Sequence, residues 1–160
     1  MSLGILADTH DHLPPDVGHH FRGVDRIVHA GDVCRPDLIV ELARVAPVTV
    51  VAGNNDRHPG WRPREVFEWA GRRIMVQHIV HPERPSFEVR EAIRRLRPDV
   101  VIFGHTHRPF CRTIDGVLFL NPGSAGSSRQ GVPLSVCLLR SNGGALETRF
   151  IPVSEATPTD

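Results

Sequence analysis

Lysine is absent from this chain, and all 19 of its basic residues are arginine. Eighteen acidic residues nearly balance them, leaving a formal net charge of +1. So small an imbalance argues against the basic footprint that nucleic acid or an acidic membrane surface would require. Arginine spread along the whole chain reads as coding bias and carries no functional weight. Cysteine is also scarce. Cys34, Cys111 and Cys137 are odd in number and show no CxxC spacing, so they suggest neither a disulfide framework nor a zinc knuckle. Three reduced thiols in a cytoplasm are expected instead. No apolar run approaches the ~20 residues needed to cross a bilayer. The chain starts directly on an apolar run that ends at Asp8, without a basic n-region, so no secretory leader is expected.

What is present suits a soluble globular protein. The 160 residues are 40% hydrophobic and 23% charged, enough for one domain with a real core. That domain is expected over 1–153, with the polar tail Ser154–Asp160 frayed. Five apolar runs read as buried strands bounded by turn-formers: Ser2–Ala7, Asp25–Ala30, Val48–Ala52, Arg73–Gln77 and Val100–Phe103. Helical spacing is read over Pro36–Val45, over Ser86–Leu96 with Ser86 as N-cap, and more weakly over Asp16–Arg22. Hairpins are expected at Asp115-Gly116, Asn142-Gly143-Gly144 and Ala70-Gly71. The alternation predicts an α/β fold of two packed sheets with helices outside.

Each of the five strands runs directly into residues of metal-ligand type. Asp8-Thr9-His10, Gly31-Asp32, Gly53-Asn54-Asn55-Asp56, His78 and Gly104-His105-Thr106-His107 follow the runs in turn. In open α/β sheets, ligands bind beyond the carboxyl ends of strands. Five such ends would bring Asp8, His10, Asp32, Asn54, His78, His105 and His107 to one edge. Gly31, Gly53 and Gly104 each precede a candidate ligand, where the chain is expected to turn tightly. Asp8/His10 and His105/His107, two apart, would share a face of an extended segment. Any one of these motifs alone would most simply be a turn. Five in register with five strands are not.

In order and spacing these motifs resemble the calcineurin-like metallophosphoesterase superfamily, in particular its compact branch of bacterial and archaeal phosphodiesterases. The resemblance covers about residues 1–150 and includes Asn121-Pro122-Gly123-Ser124. It implies a four-layer αββα sandwich of two mixed β-sheets flanked by helices, with two divalent metal ions at the sheet edge. By motif position one ion would take Asp8, His10, Asp32 and His107. The other would take Asp32, Asn54, His78 and His105, with Asp32 bridging.

Carboxylate, amide and imidazole donors suit manganese first, or iron, cobalt, nickel or zinc. A hydroxide between the ions would attack a small phosphodiester, with Asp32, Asn54, Asn55 and His78 as the catalytic set and no protein nucleophile. Arg57, Arg108, Arg129 and Asn55 are candidates to contact the substrate phosphate. Two positions depart from the pattern. Larger relatives place a general-acid histidine where Asn55 stands, leaving His58 as a substitute. The usual His-Gly-His reads His78-Ile79-Val80-His81 here, so His81 stands either at the site or in solvent. The remaining His12, His19, His20 and His29 read as structural or exposed. Trp61 and Trp69 read as core or dimer contacts, which leaves self-association open. The alternative function is a metal-binding interaction scaffold, as in a compact retromer subunit of the same superfamily; seven competent ligand positions argue against it. A nuclease fits the neutral surface poorly.

Overall fold

A computed structural model describes residues 1–154 of the chain; the expected fraying over 155–160 lies outside the described residues. In chain order the elements are β1 (Ser2–Leu6), α1 (Val17–His20), β2 (Arg26–His29), α2 (Asp37–Ala43), β3 (Val48–Val50), β4 (Arg64–Trp69), β5 (Arg72–Gln77), α3 (Phe87–Leu96), β6 (Val100–Ile102), β7 (Pro109–Ile114), β8 (Val117–Pro122), β9 (Ser135–Asn142) and β10 (Ala145–Pro152). They form two five-stranded sheets, ordered β10-β9-β1-β2-β3 and β4-β5-β6-β8-β7. Both are mixed. β1, β2 and β3 run parallel, as do β5, β6 and β8, while each outer hairpin is antiparallel.

Side-chain alternation explains why the sheets stack face to face. Leu3, Ile5 and Ala7 point inward with Val28 and Ala30 against Ile74, Val76, Val100, Ile102 and Leu120 of the second sheet. The intervening Leu6 and Ile27 face the other way and pack on Val17, Phe21 and Leu42 around α1 and α2. On the far side Met75 and Val101 meet Val89 and Ala92 of α3. The continuous apolar runs are therefore strands covered on both faces, and the layers are helix, sheet, sheet, helix. Gly4 belongs to this packing: a Cβ there would meet the Phe21 ring at 2.7 Å.

All three hairpins turn where expected. Ser86 caps α3, its hydroxyl accepting from the Val89 amide at 3.2 Å, a contact that contributes about 1 kcal/mol. The first two helices are shorter than their sequence spans. Val48–Ala52 also shortens to β3, because Val51 leaves the strand and bridges to Arg62 instead.

Candidate metal centre

The carboxyl ends of β1, β2 and β3 in one sheet and of β5 and β6 in the other open onto the same edge. Asp8, Asp32, His78 and His107 form its buried floor, each no more than 2% exposed. His10 and His105 are half-buried, and Asn54 and Asn55 are exposed at the rim.

Asp8 Oδ1 lies 3.3 Å from His107 Nε2, 3.8 Å from His10 Nε2 and 3.9 Å from His78 Nε2. Asp32 Oδ2 lies 3.4 Å from His78 Nε2 and 3.6 Å from His10 Nε2. Two donor groups result: Asp8 with His10 and His107, and Asp8 with Asp32 and His78. Asp8 is common to both groups, and Asp32 Oδ2 also lies within 3.6 Å of His10. The motif reading gave the shared place to Asp32 and assigned Asp8 to one ion only. Asn54 Oδ1 and His105 Nδ1 are 3.0 Å apart, paired with each other on the outer side.

The imidazoles are oriented for ligation. His78 Nδ1 donates to the Ala30 carbonyl at 2.7 Å and His107 Nδ1 to the Ser127 carbonyl at 2.9 Å. A carbonyl can only accept, so the proton is on Nδ1 and the Nε2 lone pair faces the site. Asp8 Oδ1 and His78 Nε2 are buried without a hydrogen-bond partner. Leaving such atoms unpaired costs about 1–3 kcal/mol each. Both point into one cluster of carboxylates and imidazoles, and a divalent cation there would satisfy both.

Burial pushes the Asp32 carboxyl upward, but the His78 ring 3.4 Å away and the hydrogen bonds from Asn55 outweigh it and hold the group well below the usual carboxylate range. Burial lowers His10 and His105, and in His10 it prevails over the pull of Asp32 and Asp8. Ionised carboxylates and neutral imidazoles are the forms a metal binds. In the metal-free cluster His78 is raised, the attraction of Asp32 and Asp8 outweighing its burial.

The backbone differs from the sequence expectation. Asp8, His10, Asp32, His105 and His107 all have positive φ, between 43° and 70°. The paired ligands thus converge from left-handed loops, not from one face of an extended segment. Such conformations cost of order 1–3 kcal/mol each and persist where the surroundings enforce them. Gly31 does turn at φ +96, but Gly53 and Gly104 are required by close approach. A Cβ on Gly53 would meet Asp32 Oδ1 at 2.1 Å, and one on Gly104 would meet Asp8 Oδ2 at 2.9 Å.

Several supporting residues had no assigned role in the sequence reading. The Asp56 carboxylate accepts from the amides of Asp32 (2.9 Å), Val33 (3.3 Å), Cys34 (2.8 Å) and Gly53 (2.7 Å). Asn121 Nδ2 donates to the Gly104 carbonyl, and Ser124 Oγ to the Asp8 carbonyl, which gives the Asn-Pro-Gly-Ser segment its purpose. Thr9 and His29 are fully buried and bonded to each other. Position in the Gly-Asn-Asn-Asp motif was the only signal for Asp56; none marked Thr9.

Other candidates are less engaged. Asn55 donates through its amide N–H and its side chain to Asp32, at 2.9 and 2.7 Å. Its first effect is therefore on that carboxylate. Arg129 is near enough for its charge to act on His10. Arg108 is taken by Gln130, and Arg57 is exposed. His58 stacks on Trp61 and accepts from the Gly60 amide. His81 is exposed, with its charge acting on His105. Trp69 is a core residue.

The sequence profile of the Calcineurin-like phosphoesterase superfamily domain matches residues 1–144. The chain belongs to that superfamily. A probable metallophosphoesterase of Methanothermobacter thermautotrophicus is 40% identical over 159 residues, covering 94% of this chain and 92% of that one. Among solved structures, an archaeal phosphodiesterase superposes with a TM-score of 0.78 at 25% identity, over 94% of this chain and all of that one. Vps29 of Entamoeba histolytica, solved in complex with zinc, superposes with a TM-score of 0.72 at 25% identity, over 95% and 99%. Two mixed sheets with flanking helices are thus the fold of the superfamily, and metal-binding residue groups lie at its sheet edge. No described helix is long and apolar enough to cross a membrane.

Proposed function

We propose that this chain is a dinuclear metal-dependent phosphodiesterase that hydrolyses a small phosphodiester. The observation that carries the reading is the pair of buried, unpartnered donors, Asp8 Oδ1 and His78 Nε2, aimed into the Asp32, His10 and His107 cluster. Asp8, His10, Asp32 and His107 with His78, Asn54 and His105 would hold the two ions. Manganese is the preferred metal for this mixed oxygen and nitrogen set. The bound pair would supply a nucleophilic water at neutral pH and polarise the phosphoryl oxygens.

The remaining steps belong to the chain. The buried floor holds its donors in fixed tautomers, so little reorganisation accompanies binding. The rim formed by exposed Asn54 and Asn55 beside half-buried His105 admits the substrate from one side, and Arg129 adds positive charge for the phosphate on the His10 flank. Asn55 cannot donate a proton near neutral pH, which favours diesters with good leaving groups. The domain is taken as 1–153. Three free thiols support a reducing cytoplasm.

The test is hydrolysis of bis-p-nitrophenyl phosphate by metal-stripped protein, with and without Mn²⁺, beside Asp32→Ala. Turnover that needs Mn²⁺ and falls at least roughly 100-fold in the variant is expected, since losing a ligand costs no less than the roughly 10–100-fold of losing an outer partner. Mn²⁺ bound without turnover would overturn the enzymatic reading and favour a binding role.

A further inference from the structure

His29 ends β2, three residues before Asp32, and touches none of the seven metal ligands by hydrogen bond. Its ring nevertheless connects the two loops that carry three of them. The Gly31 amide donates to His29 Nδ1 at 3.2 Å. That nitrogen therefore carries the lone pair, and the ring proton is on Nε2. Nε2 lies 3.0 Å from Thr9 Oγ1 and donates to it. The threonine hydroxyl then directs its own proton to the Val33 carbonyl at 3.2 Å. Gly31 N–H, His29, Thr9 and Val33 C=O thus form one chain of hydrogen bonds with a single direction and every member paired.

The placement of this chain gives it meaning. Thr9 sits between the ligands Asp8 and His10, and Gly31 and Val33 flank the ligand Asp32. Asp8, His10 and Asp32 are all held at positive φ, so neither loop would keep its shape on propensity alone. Both Thr9 and His29 are 0% exposed, so water cannot replace either partner. Burial lowers the His29 ring to about 4, which keeps it neutral and able to accept at Nδ1 under neutral conditions.

We propose that His29, acting through Thr9, is a positioning residue that fixes the spacing between the 8–10 and 31–33 loops and so allows two ions to be held as a pair. The inference rests on the dinuclear reading above. It adds the residues that set the separation of Asp8 from Asp32, and with it the coupling of the two ions. Outer residues of this kind change metal affinity by roughly 10–100-fold.

Thr9→Val keeps the volume and removes the hydroxyl, and Thr9→Ser restores it. Each is titrated with Mn²⁺ and followed by electron paramagnetic resonance, with thermal unfolding of the metal-free protein alongside. Wild type should show the signal of a spin-coupled manganese pair. Thr9→Val should bind the second ion roughly 10–100-fold more weakly, with an uncoupled six-line spectrum at intermediate Mn²⁺. Thr9→Ser should recover the coupled signal. A coupled pair of wild-type affinity in a folded Thr9→Val protein would overturn the positioning role alone. So would a loss that Thr9→Ser fails to rescue. Wild type without any coupled pair would overturn the dinuclear reading itself, and this inference with it. Should Thr9→Val not fold, His29→Phe, which removes both ring hydrogen bonds, is read in the same titration, and a coupled pair of wild-type affinity in that variant would likewise overturn the positioning role.

Discussion

At the scale of single residues, the centre consists of few ligands and many groups that hold them. The seven candidate ligand positions were legible because each follows an apolar run, and because Asp, Asn and His in that order have little other reason to recur at strand ends. The supporting groups were not legible, since a buried threonine or histidine looks the same in sequence whether it packs or positions. His29 shows the difference, and its environment has a consequence for pH. Its folded pKa is lowered to about 4, against about 6.5 in an unfolded chain. Between these values the unfolded state binds a proton that the folded state does not, so stability rises with pH across the window. The contribution is full above pH 6.5 and is lost as the pH falls toward 4. Between pH 6.5 and 5 it amounts to roughly 2 kcal/mol. Urea unfolding of metal-free protein should therefore show a steeper loss between these two pH values in wild type than in His29→Gln. Parallel curves would mean that the ring is not the group that titrates.

At the scale of elements, strand positions were readable and loop conformations were not. Continuous runs such as Val100–Phe103 and Arg73–Gln77 announce strands covered on both faces, and the Gly-containing turns announce hairpins. By contrast, positive φ at Asp8, His10, Asp32, His105 and His107 has no sequence signature, because these are not glycines. What imposes it is contact between loops that are distant in the chain. Asp56 is the clearest case: one carboxylate from the loop after β3 gathers the amides of Asp32, Val33 and Cys34 from the loop after β2, together with its own Gly53. Four N–H donors around a largely buried anion leave no room for an amide group. Asp56→Asn would turn an NH₂ toward donors and lose charge-assisted bonds worth about 1.5–3 kcal/mol. An apo-protein stability loss of about 3 kcal/mol is expected, or a midpoint lowered by roughly 6–12 °C for a chain of this size. Mn²⁺ affinity should fall in parallel, because the Asp32 loop loses its anchor. Unchanged thermal unfolding would show that the loop is held by other means.

For the whole molecule, the decisive fact is that neither sheet owns the centre. Asp8, His10, Asp32 and Asn54 arrive from the sheet β10-β9-β1-β2-β3, while His78, His105 and His107 arrive from the sheet β4-β5-β6-β8-β7 or its loops. The inner apolar layer already joins the two sheets through Leu3, Ile5 and Val28 against Ile74, Val76 and Ile102. At the edge beyond that layer, however, two buried carboxylates face each other across a set of imidazoles, with Asp8 Oδ1 and His78 Nε2 unpaired. Without a cation these donors stay uncompensated, and a bound cation would act as a second fastening between the sheets. Ligation of the folded state alone stabilises by about 2.7 kcal/mol at a hundredfold excess over Kd. For a chain of this length that is a rise in unfolding temperature of about 5–10 °C. Differential scanning calorimetry of stripped protein with rising Mn²⁺ should show a concentration-dependent increase of this size, and none on adding Mg²⁺-free chelated buffer. Alanine at His78, from the second sheet, and at His10, from the first, should each reduce the increase, since either change unfastens one side. A transition temperature insensitive to Mn²⁺ in wild type would mean that the two sheets do not share a metal.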